Sequence, residues 1–384
     1  MTKPYKKSDA LYELARIPGV YVPSLYEPLY SNGAFIGLKP RDSSVPERIR
    51  KQSADDIEFS TDFIVSPNTL WPDFYFLEIS RGCLYNCKFC MLGKIYANRY
   101  RSHKTVIKIA EKARELTDKM RLVSATEDTH PEINRILRDL KDMGFQIIVG
   151  SQRADWVSDD FASYIDNKTF TVAPETGSDR LRRLIGKHMT NEEIMDAIRT
   201  VRKDRLDELQ LYLMVGLPNE TPHDIEETAN LIRTVRTTLD REGYQHLKVR
   251  ASINCFIPKP HTGFQYERQL TYDEYKSVID RVRELVGGLE GVEFTTMDEK
   301  SVLTQGIVTR GDRRVGRAMY DALKKGDDIT AWKSITCNNG STERLFGRKE
   351  SQWIAPWSFV DMTTTGIPAT YIARVVKGVD YATK

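Results

Sequence analysis

Short apolar runs alternate with longer amphipathic segments along most of the chain. Six runs have the apolar, β-branched character of buried strands, at 74–80, 120–125, 145–151, 170–175, 208–216 and 247–257. Between them, segments such as 105–116, 133–143 and 191–203 repeat apolar residues at helical spacing, and a long helix is predicted from Pro222 to Arg241. Strands that alternate with helices in this way are typical of parallel βα units. The pattern therefore predicts an α/β fold with six βα units.

The composition of the chain argues against several classes of protein. Of the 384 residues, 40% are hydrophobic and 29% are charged, which is enough to bury a sizeable core. The chain has neither an apolar segment long enough to cross a membrane nor the apolar core of a signal peptide, so we expect a cytoplasmic protein. Five cysteines argue against a disulfide scaffold. A net charge of +3 is too small to indicate a nucleic-acid partner, and we expect none.

The chemistry is indicated by three clustered cysteines. Cys83, Cys87 and Cys90 have a C-x3-C-x2-C spacing directly after the first predicted strand. Thiolates this close in sequence are typical ligands of one metal centre. A structural zinc site or a simple electron-transfer cluster takes four protein ligands, so three cysteines leave one coordination position open for chemistry. From the residues alone, a zinc or ferredoxin-like site completed by Cys255, Cys337 or a histidine remains an alternative.

With Phe89 before the third cysteine, the motif resembles the C-x3-C-aromatic-C triplet of the radical S-adenosylmethionine (SAM) superfamily. The resemblance implies a 4Fe-4S cluster on the three cysteines, with SAM bound at the fourth iron. In that family the reduced cluster cleaves SAM to methionine and a 5'-deoxyadenosyl radical, which abstracts hydrogen from a substrate. It also implies an open parallel (β/α)6 partial TIM barrel, which the six predicted units match. We place this core at 71–300, between an irregular N-terminal extension (1–70) packed on the barrel and a helical, loop-rich C-terminal extension (301–384).

Polar residues at the carboxyl ends of the strands are the candidates for the SAM site. After the second strand, Ser124 and Glu127 occupy the place of the family's Gly-Gly-Glu motif, which implies contact with the SAM amino group; a polar loop cap is the alternative. After the third strand, Arg153 either reaches a carboxylate or extends from a helix start.

The segment after the fourth strand resembles the family's E-x-G-S-x-R-L-R motif. The resemblance implies that Glu175 meets the ribose hydroxyls, that Ser178 lies in the turn, and that an arginine pairs with the SAM carboxylate. Bidentate geometry favours arginine for that task, and we select Arg182 because Arg183 can pair with Asp179 on the helix surface.

The last two strands supply three more candidates. The Gly-Leu-Pro turn after the fifth strand resembles a family segment that backs the adenine, which implicates Gly216. On the sixth strand, Asn254 is expected near the adenine and ribose. The neighbouring Cys255 is a candidate catalytic group, although a buried strand cysteine is more often inert.

A finer resemblance concerns the cobalamin-binding-domain radical SAM proteins, many of which methylate unactivated carbons. It rests on IPGVYVPSLY, FLEISRGC, IPKPHTGF and TRGDRRVGRAMYDALKKG, which span roughly residues 17–325. In those relatives a cobalamin domain precedes the first segment, whereas only about 16 residues precede it here. We therefore expect no N-terminal cobalamin domain, and methyl transfer through cobalamin would need a separate protein to bring that cofactor.

These observations predict a radical SAM enzyme that modifies a small or natural-product-like substrate with the SAM-derived radical. A reductase such as flavodoxin or ferredoxin is the expected electron donor. Three alternatives stay open: a methylase with cobalamin bound in trans, an aminocarboxypropyl transferase, and a non-catalytic iron-sulfur or zinc-binding interaction protein.

The C-terminal part carries two further features. Arg310, Arg313, Arg314 and Arg317 cluster near the start of a predicted helix, and the arginines near 313 are candidates to hold a phosphate or carboxylate of a small substrate. Two tryptophans follow in a late loop. They either cover the open barrel end or form a small aromatic cluster packed on the core.

Overall fold

The computed structural model describes residues 6–54, 64–201, 203–338, 345–350 and 352–367, without the side chains at 54, 156, 335–338 and 363–367. Its strands are β1 (Tyr26–Ser31), β2 (Ala34–Pro40), β3 (Ile49–Ala54), β4 (Phe74–Glu78), β5 (Ser80–Arg81), β6 (Arg99–Tyr100), β7 (Lys119–Val123), β8 (Gln146–Ile148), β9 (Thr169–Glu175), β10 (Glu208–Val215), β11 (Lys248–Cys255), β12 (Val292–Thr296) and β13 (Val360–Ile367). Its α-helices are α1 (Lys7–Arg16), α2 (Leu92–Ile95), α3 (His103–Arg114), α4 (Ile133–Asp142), α5 (Asp159–Tyr164), α6 (Asp179–Leu184), α7 (Asn191–Thr200), α8 (Pro222–Arg241), α9 (Tyr272–Val286), α10 (Glu299–Arg310), α11 (Arg314–Lys324) and α12 (Ile329–Asn338).

The chain divides into two compact units. The core unit comprises Ile57–Phe256 and Leu270–Asp298, and the terminal unit comprises Met1–Asp56, Ile257–Gln269 and Glu299–Lys384. Both ends of the chain thus contribute to one unit. The described N-terminal part contains α1 and three strands.

The core unit is built on parallel strands in the order β4, β7, β8 and then β9, β10, β11, β12. A parallel bridge between Gln152 and Val172 links the two groups. All six predicted strands are present and pair in parallel, so the predicted α/β fold is confirmed. Among the described strands no pairing joins β4 to β12. The seventh strand, β12, was not predicted. Its sequence VEFTT is short and exposes Glu293 and Thr295, so it lacks an apolar run.

The two faces of this sheet differ in chemistry. On β10, Leu209 and Leu211 lie on a face that is fully buried. On the opposite face, a hydrogen-bonded row crosses three strands: Thr171 Oγ1 donates to Gln210 Oε1 over 3.3 Å, and Gln210 Nε2 donates to Ser252 Oγ over 3.0 Å. The sheet therefore offers one apolar face to the core and one polar face.

The helices of the core unit begin at sequence signals that the chain supplies locally. Capping boxes start α7 at Thr190, α8 at Thr221 and α9 at Thr271, where the threonine and an acidic residue three positions later satisfy two free backbone N–H groups. In α8 the next residue is Pro222, which favours the first helical position. This helix begins and ends at the predicted residues.

The terminal unit has two small cores. Helix α1, the antiparallel hairpin of β1 and β2, and the parallel pair of β3 and β13 are accompanied by one cluster that includes Leu25, Tyr26 and Ile49. Helices α10, α11 and α12 bury a second cluster that includes Ile307 and Trp332. Each large apolar side chain buried in this way contributes about 2 kcal/mol to stability. Among the described residues of the whole chain, no helix is both long and apolar enough to span a membrane.

Candidate functional site

The cysteine loop connects β5 to α2 in the core unit. Cys83, Cys87 and Cys90 are free thiols, and all three are partly accessible to solvent. A tight turn closes on the last two, since the Cys90 amide donates to the Cys87 carbonyl oxygen over 3.1 Å. The short helix α2 begins two residues later, at Leu92. The three sulfur atoms are therefore carried by a compact loop directly after a strand, as the sequence predicted.

Residues that follow α6 contact the cysteine loop. The Lys88 amide donates to the Ile185 carbonyl oxygen over 2.8 Å, and the Cys87 thiol lies 3.8 Å from the Gly186 carbonyl oxygen. Gly186 has φ +80°, which favours glycine, and a Cβ added there would lie 3.1 Å from the Asn86 carbonyl oxygen. Residues almost a hundred positions apart in sequence thus fix the backbone on which Cys87 sits.

Cys87 and Cys90 are harder to ionise than ordinary thiols. Burial raises the pKa of Cys87 to about 11 and raises that of Cys90 as well. Cys90 adds to the rise in the pKa of Cys87, and Cys83 adds to the rise in the pKa of Cys90. Iron has to displace these protons when it binds, because the thiolate is the ligand form.

Positive charge opposes this effect. Lys187 and Arg153 both lower the pKa of Cys87. Soft thiolates with cations beside them fit an iron-sulfur cluster, in which several negative ligands have to be held together. Among the described residues, no three His, Cys, Asp or Glu side chains are grouped so as to hold a single metal ion.

Glu175 and Lys187 form an ion pair next to the cysteines. The Lys187 ammonium donates to Glu175 Oε1 over 2.7 Å, and both side chains are largely buried. Glu175 also acts on the pKa of Cys87 and Cys90, which places it beside the loop. It is the last residue of β9 and has φ +67°, an unusual conformation for a residue with a side chain. Backbone strain of this kind is concentrated at functional sites.

Arg153 is buried and supports the same loop. Its guanidinium lies 3.7 Å from the ring centroid of Tyr85, which stands between Cys83 and Cys87. Nε and Nη2 donate to the two carboxylate oxygens of Asp155 over 3.0 and 2.8 Å. We had expected Arg153 either to reach a carboxylate or to extend from a helix start. Its carboxylate partner in the structure is Asp155.

Glu127 and Asp128 are adjacent buried carboxyl groups with different surroundings. Glu127 Oε1 accepts from the Gly150 amide over 3.1 Å and Oε2 accepts from Gln152 Nε2 over 3.3 Å, so it ties two strand ends together. Neither oxygen of Asp128 has a hydrogen-bond partner among the described residues. Burial, with the charges of Glu127 and Asp155, raises the pKa of Asp128 to about 7.

Three other predicted residues take up positions inside the fold. Ser124 Oγ bonds Ser80 Oγ and accepts from the Thr126 amide over 3.1 Å. Ser178 is fully buried as the N-cap of α6. Arg182 is also fully buried: Nη1 donates to the Thr176 carbonyl oxygen over 2.8 Å. Its other bonds go to the Met189 carbonyl, Asn191 and Asp179. These donors are used within the protein, so Arg182 is not carried into the SAM site proposed below.

The last three predicted residues lie at the ends of β10 and β11. Gly216 has φ +82°, and its amide donates to Glu220 Oε2 over 2.7 Å, which completes a tight turn. Asn254 is exposed. Cys255 is buried on the next, opposite face of the strand, where its amide lies 3.4 Å from Met297 Sδ. Cys337 belongs to the residues whose side chains are not described, so its suggested role as a ligand lies outside the structure.

No sequence pattern indicated Asp128, Lys187 or Gly186. Asp128 follows Glu127 directly in the sequence, but only the hydrogen bonds of the folded chain separate the bonded Glu127 from Asp128. Lys187 and Gly186 lie just beyond α6 and reach the cysteines only in the folded chain. No spacing rule predicts such a contact.

Residues 77–232 match the family model described as the radical SAM superfamily. This segment includes the cysteine loop, Asp128, Glu175 and Lys187.

The chain is also similar to individual proteins. An uncharacterized protein of Methanocaldococcus jannaschii is 32% identical over 284 residues, 68% of this chain and 62% of that relative. The ribosomal protein uS12 methylthiotransferase RimO of a Thermotoga species is 24% identical over 296 residues, 68% of this chain and 67% of the relative. Among solved structures, the radical SAM methyltransferase TsrM from Kitasatospora setae matches with a TM-score of 0.41 and 14% identity, over 50% of this chain and 38% of that chain. The chain thus spans less than two thirds of the first of these relatives.

Proposed function

Because residues 77–232 match the radical SAM superfamily, whose members use a 4Fe-4S cluster and SAM, we propose that the protein is an enzyme that cleaves SAM reductively. Cys83, Cys87 and Cys90 would hold the cluster, and the radical formed from SAM would modify a small or natural-product-like substrate. The observation that carries the proposal is the set of three partly accessible thiols in one loop, with the Lys187 ammonium beside them.

When bound, the cluster supplies the electron for SAM cleavage. The protein's own part is to hold the thiolates and offset their charge. Lys187 and Arg153 supply positive charge at Cys87, and the Glu175 carboxylate keeps the Lys187 ammonium in place. The bond from Lys88 to Ile185 and the close approach of Gly186 fix the loop.

Asp128 is our candidate for the partner of the SAM amino group. It is a buried carboxyl group without a hydrogen-bond partner among the described residues. An ammonium group would donate the hydrogen bonds that these oxygens lack and would offset the negative charge. Glu127, which the family motif implicated, already accepts two hydrogen bonds that hold strand ends together. We therefore assign Glu127 a positioning role, while Glu175, Gly216 and Asn254 keep their proposed places around the ribose and adenine.

The polar face of the sheet favours a polar substrate. The row of Thr171, Gln210 and Ser252 presents hydroxyl and amide groups that can donate and accept hydrogen bonds. A flavodoxin or ferredoxin remains the proposed electron donor, and the cytoplasm the proposed location.

The test is an anaerobic assay of SAM cleavage. The cluster is reconstituted, SAM and dithionite are added without substrate, and the SAM-derived products are identified by mass spectrometry. Wild type and Cys255→Ala should both yield 5'-deoxyadenosine, because Cys255 lies on the other face of its strand from Asn254. Cys87→Ala should yield none. Methylthioadenosine would identify aminocarboxypropyl chemistry instead, and a bound cluster without any cleavage would overturn the enzymatic proposal.

A second candidate function is transfer of a methylthio or methyl group, which the similarity to RimO favours. Such chemistry consumes a further SAM molecule as methyl donor and releases S-adenosylhomocysteine, and transfer of a methylthio group also requires a sulfide donor. The same mass spectra distinguish SAM cleavage alone from group transfer. Formation of S-adenosylhomocysteine alongside 5'-deoxyadenosine supports group transfer. Cobalamin retained after reconstitution with that cofactor would favour the methylase that we left open.

A further inference from the structure

A pocket of about 490 Å3 lies within the terminal unit. It is lined by the junction of α10 and α11, by the start of β2, and by the segment around 345–356. Its volume is in the range of pockets that hold small organic molecules. None of the residues assigned above to the cluster or to SAM lines it.

A buried cation forms part of the pocket wall. Arg310 is 2% exposed. Nη1 donates to the Glu267 carbonyl oxygen over 2.6 Å and Nη2 to the Gly347 carbonyl oxygen over 3.2 Å. These two partners are backbone carbonyls, and Nε is buried without a hydrogen-bond partner among the described residues. The Glu267 carboxylate acts on Arg310 and raises its pKa, and it pairs with Arg348 over 3.5 Å. Burial lowers the pKa of Arg310 to about 10, so the guanidinium is still charged at pH 7. A charge in this environment is costly unless an anion meets it.

The carboxylates of the wall have other partners. Asp312 is held by Arg314, whose Nε and Nη2 donate to its carboxylate, the latter over 2.6 Å. Glu350 accepts a hydrogen bond from Gln352. Two more cations, Arg348 and Lys349, also line the pocket. Its four cations therefore outnumber its two carboxylates, and the excess charge is positive.

The remaining wall is apolar and includes an aromatic ring. Phe35, Ile307 and Trp353 line the pocket. Trp353 belongs to an aromatic cluster with Tyr266 and Trp357, with ring centroids 5.9 and 5.4 Å from its own in edge-to-face geometry. The late tryptophans thus form the aromatic cluster that was one of our two expectations. Such a cluster holds the indole ring in place as a flat surface for a ligand.

We propose that this pocket binds a small organic anion whose negative group meets Arg310 and whose flat apolar body lies against Trp353. Both carboxylate and phosphate pair with a guanidinium. The ligand class is therefore an anion, of either kind, on a planar ring system. The proposal stands apart from SAM cleavage, and either can fail without the other.

The test compares 1-naphthoate with 1-naphthamide, which has the same ring system and no charge. Binding to the full-length protein is measured by isothermal titration calorimetry. We expect 1-naphthoate to bind at one site and 1-naphthamide to bind about tenfold more weakly or worse, because only the anion meets the buried cation. 1-Naphthyl phosphate serves as the third probe and shows whether phosphate or carboxylate is preferred.

Variants locate the site. Trp353→Leu and Arg348→Gln should each weaken 1-naphthoate binding by about threefold or more, whereas Arg317→Gln, an exposed charge in the same unit outside the pocket, should leave it unchanged. Arg310→Met should abolish the preference for the anion, and circular dichroism checks that it folds. Equal binding of naphthoate and naphthamide, no binding of any probe, or unchanged affinity in both Trp353→Leu and Arg348→Gln would overturn the proposal.

Discussion

The Lys187 ammonium donates to the Glu175 carboxylate over 2.7 Å, beside Cys87 and Cys90. The pair joins the strained end of β9 to the residue that follows Gly186. It places one positive charge beside the thiols that would hold a cluster, and it ties that charge to the end of β9, which carries Glu175. The pair therefore links the stability of the core unit to the chemistry of the loop.

Replacing Lys187 tests this link. In Lys187→Met the Glu175 carboxylate loses its partner in a largely buried place, and we expect a loss of about 3 kcal/mol in the free energy of unfolding. The reduction potential of the cluster should also fall, because a nearby positive charge favours the reduced, more negative state. Urea unfolding and a redox titration followed by electron paramagnetic resonance measure both effects. Lys187→Arg keeps the charge and should keep the potential; an unchanged potential in Lys187→Met would remove Lys187 from the site.

Two glycines with the same backbone conformation provide a matched test of the loop contact. Gly186 and Gly243 have φ +80° and +84°, and a Cβ at Gly243 meets nothing within 4 Å. Both changes to alanine should cost about 1 kcal/mol for the left-handed backbone. Only Gly186→Ala should also lower the iron bound per chain after reconstitution, since its methyl group presses on the cysteine loop. Iron content equal in the two variants would show that the contact does not matter for cluster assembly.

The raised pKa of Asp128 predicts that the stability of the protein depends on pH. In the folded state Asp128 keeps its proton up to about pH 7, whereas the ordinary pKa of the group is 3.8. The free energy of unfolding therefore falls as the pH rises between these two values. In Asp128→Asn the side chain carries no charge, so this fall in stability should be absent. At pH 8 the variant should be more stable than wild type by the order of 3 kcal/mol, and at pH 4 the two should differ little. Urea unfolding at the two pH values measures the effect.

The same variant should bind SAM about tenfold more weakly in equilibrium dialysis, because the proposed partner of the amino group has lost its charge. Asp142→Asn, an exposed change on α4, is the control for both measurements. A stabilised Asp128→Asn with unchanged SAM affinity would mean that Asp128 does not meet SAM.

Arg182 should behave as a structural residue. Its fully buried guanidinium donates to two carbonyl oxygens and two side chains, so Arg182→Met should lower the free energy of unfolding by about 3 kcal/mol or more. The exposed neighbour Arg183→Met should change it by no more than about 0.5 kcal/mol. Urea midpoints compare the two. If Arg182→Met were as stable as wild type but failed to bind SAM, our original assignment of Arg182 to the SAM carboxylate would return.

Local signals explain which parts of the fold could be predicted. The six strands and α8 follow from apolar runs, helical spacing and the Thr221-Pro222 start, and all were found. β12 was missed because its residues are half exposed and only backbone bonds to β11 make it a strand. The radical SAM domain read from the cysteine triplet agrees with the family match over residues 77–232.

The sequence by itself determined the ligands that the chain offers and the order of its strands and helices, because both depend on residues close together along the chain. Only the tertiary structure decided which charged groups are free to act. Hydrogen bonds distinguish Asp128 from Glu127, since both are buried and only Glu127 has partners among the described residues. The fold buries Arg182 with its donors bonded inside the protein, brings Lys187 to the cysteines, and leaves Arg310 Nε without a hydrogen-bond partner among the described residues. Each of these outcomes depends on desolvation and on contacts between distant segments, which no local pattern contains.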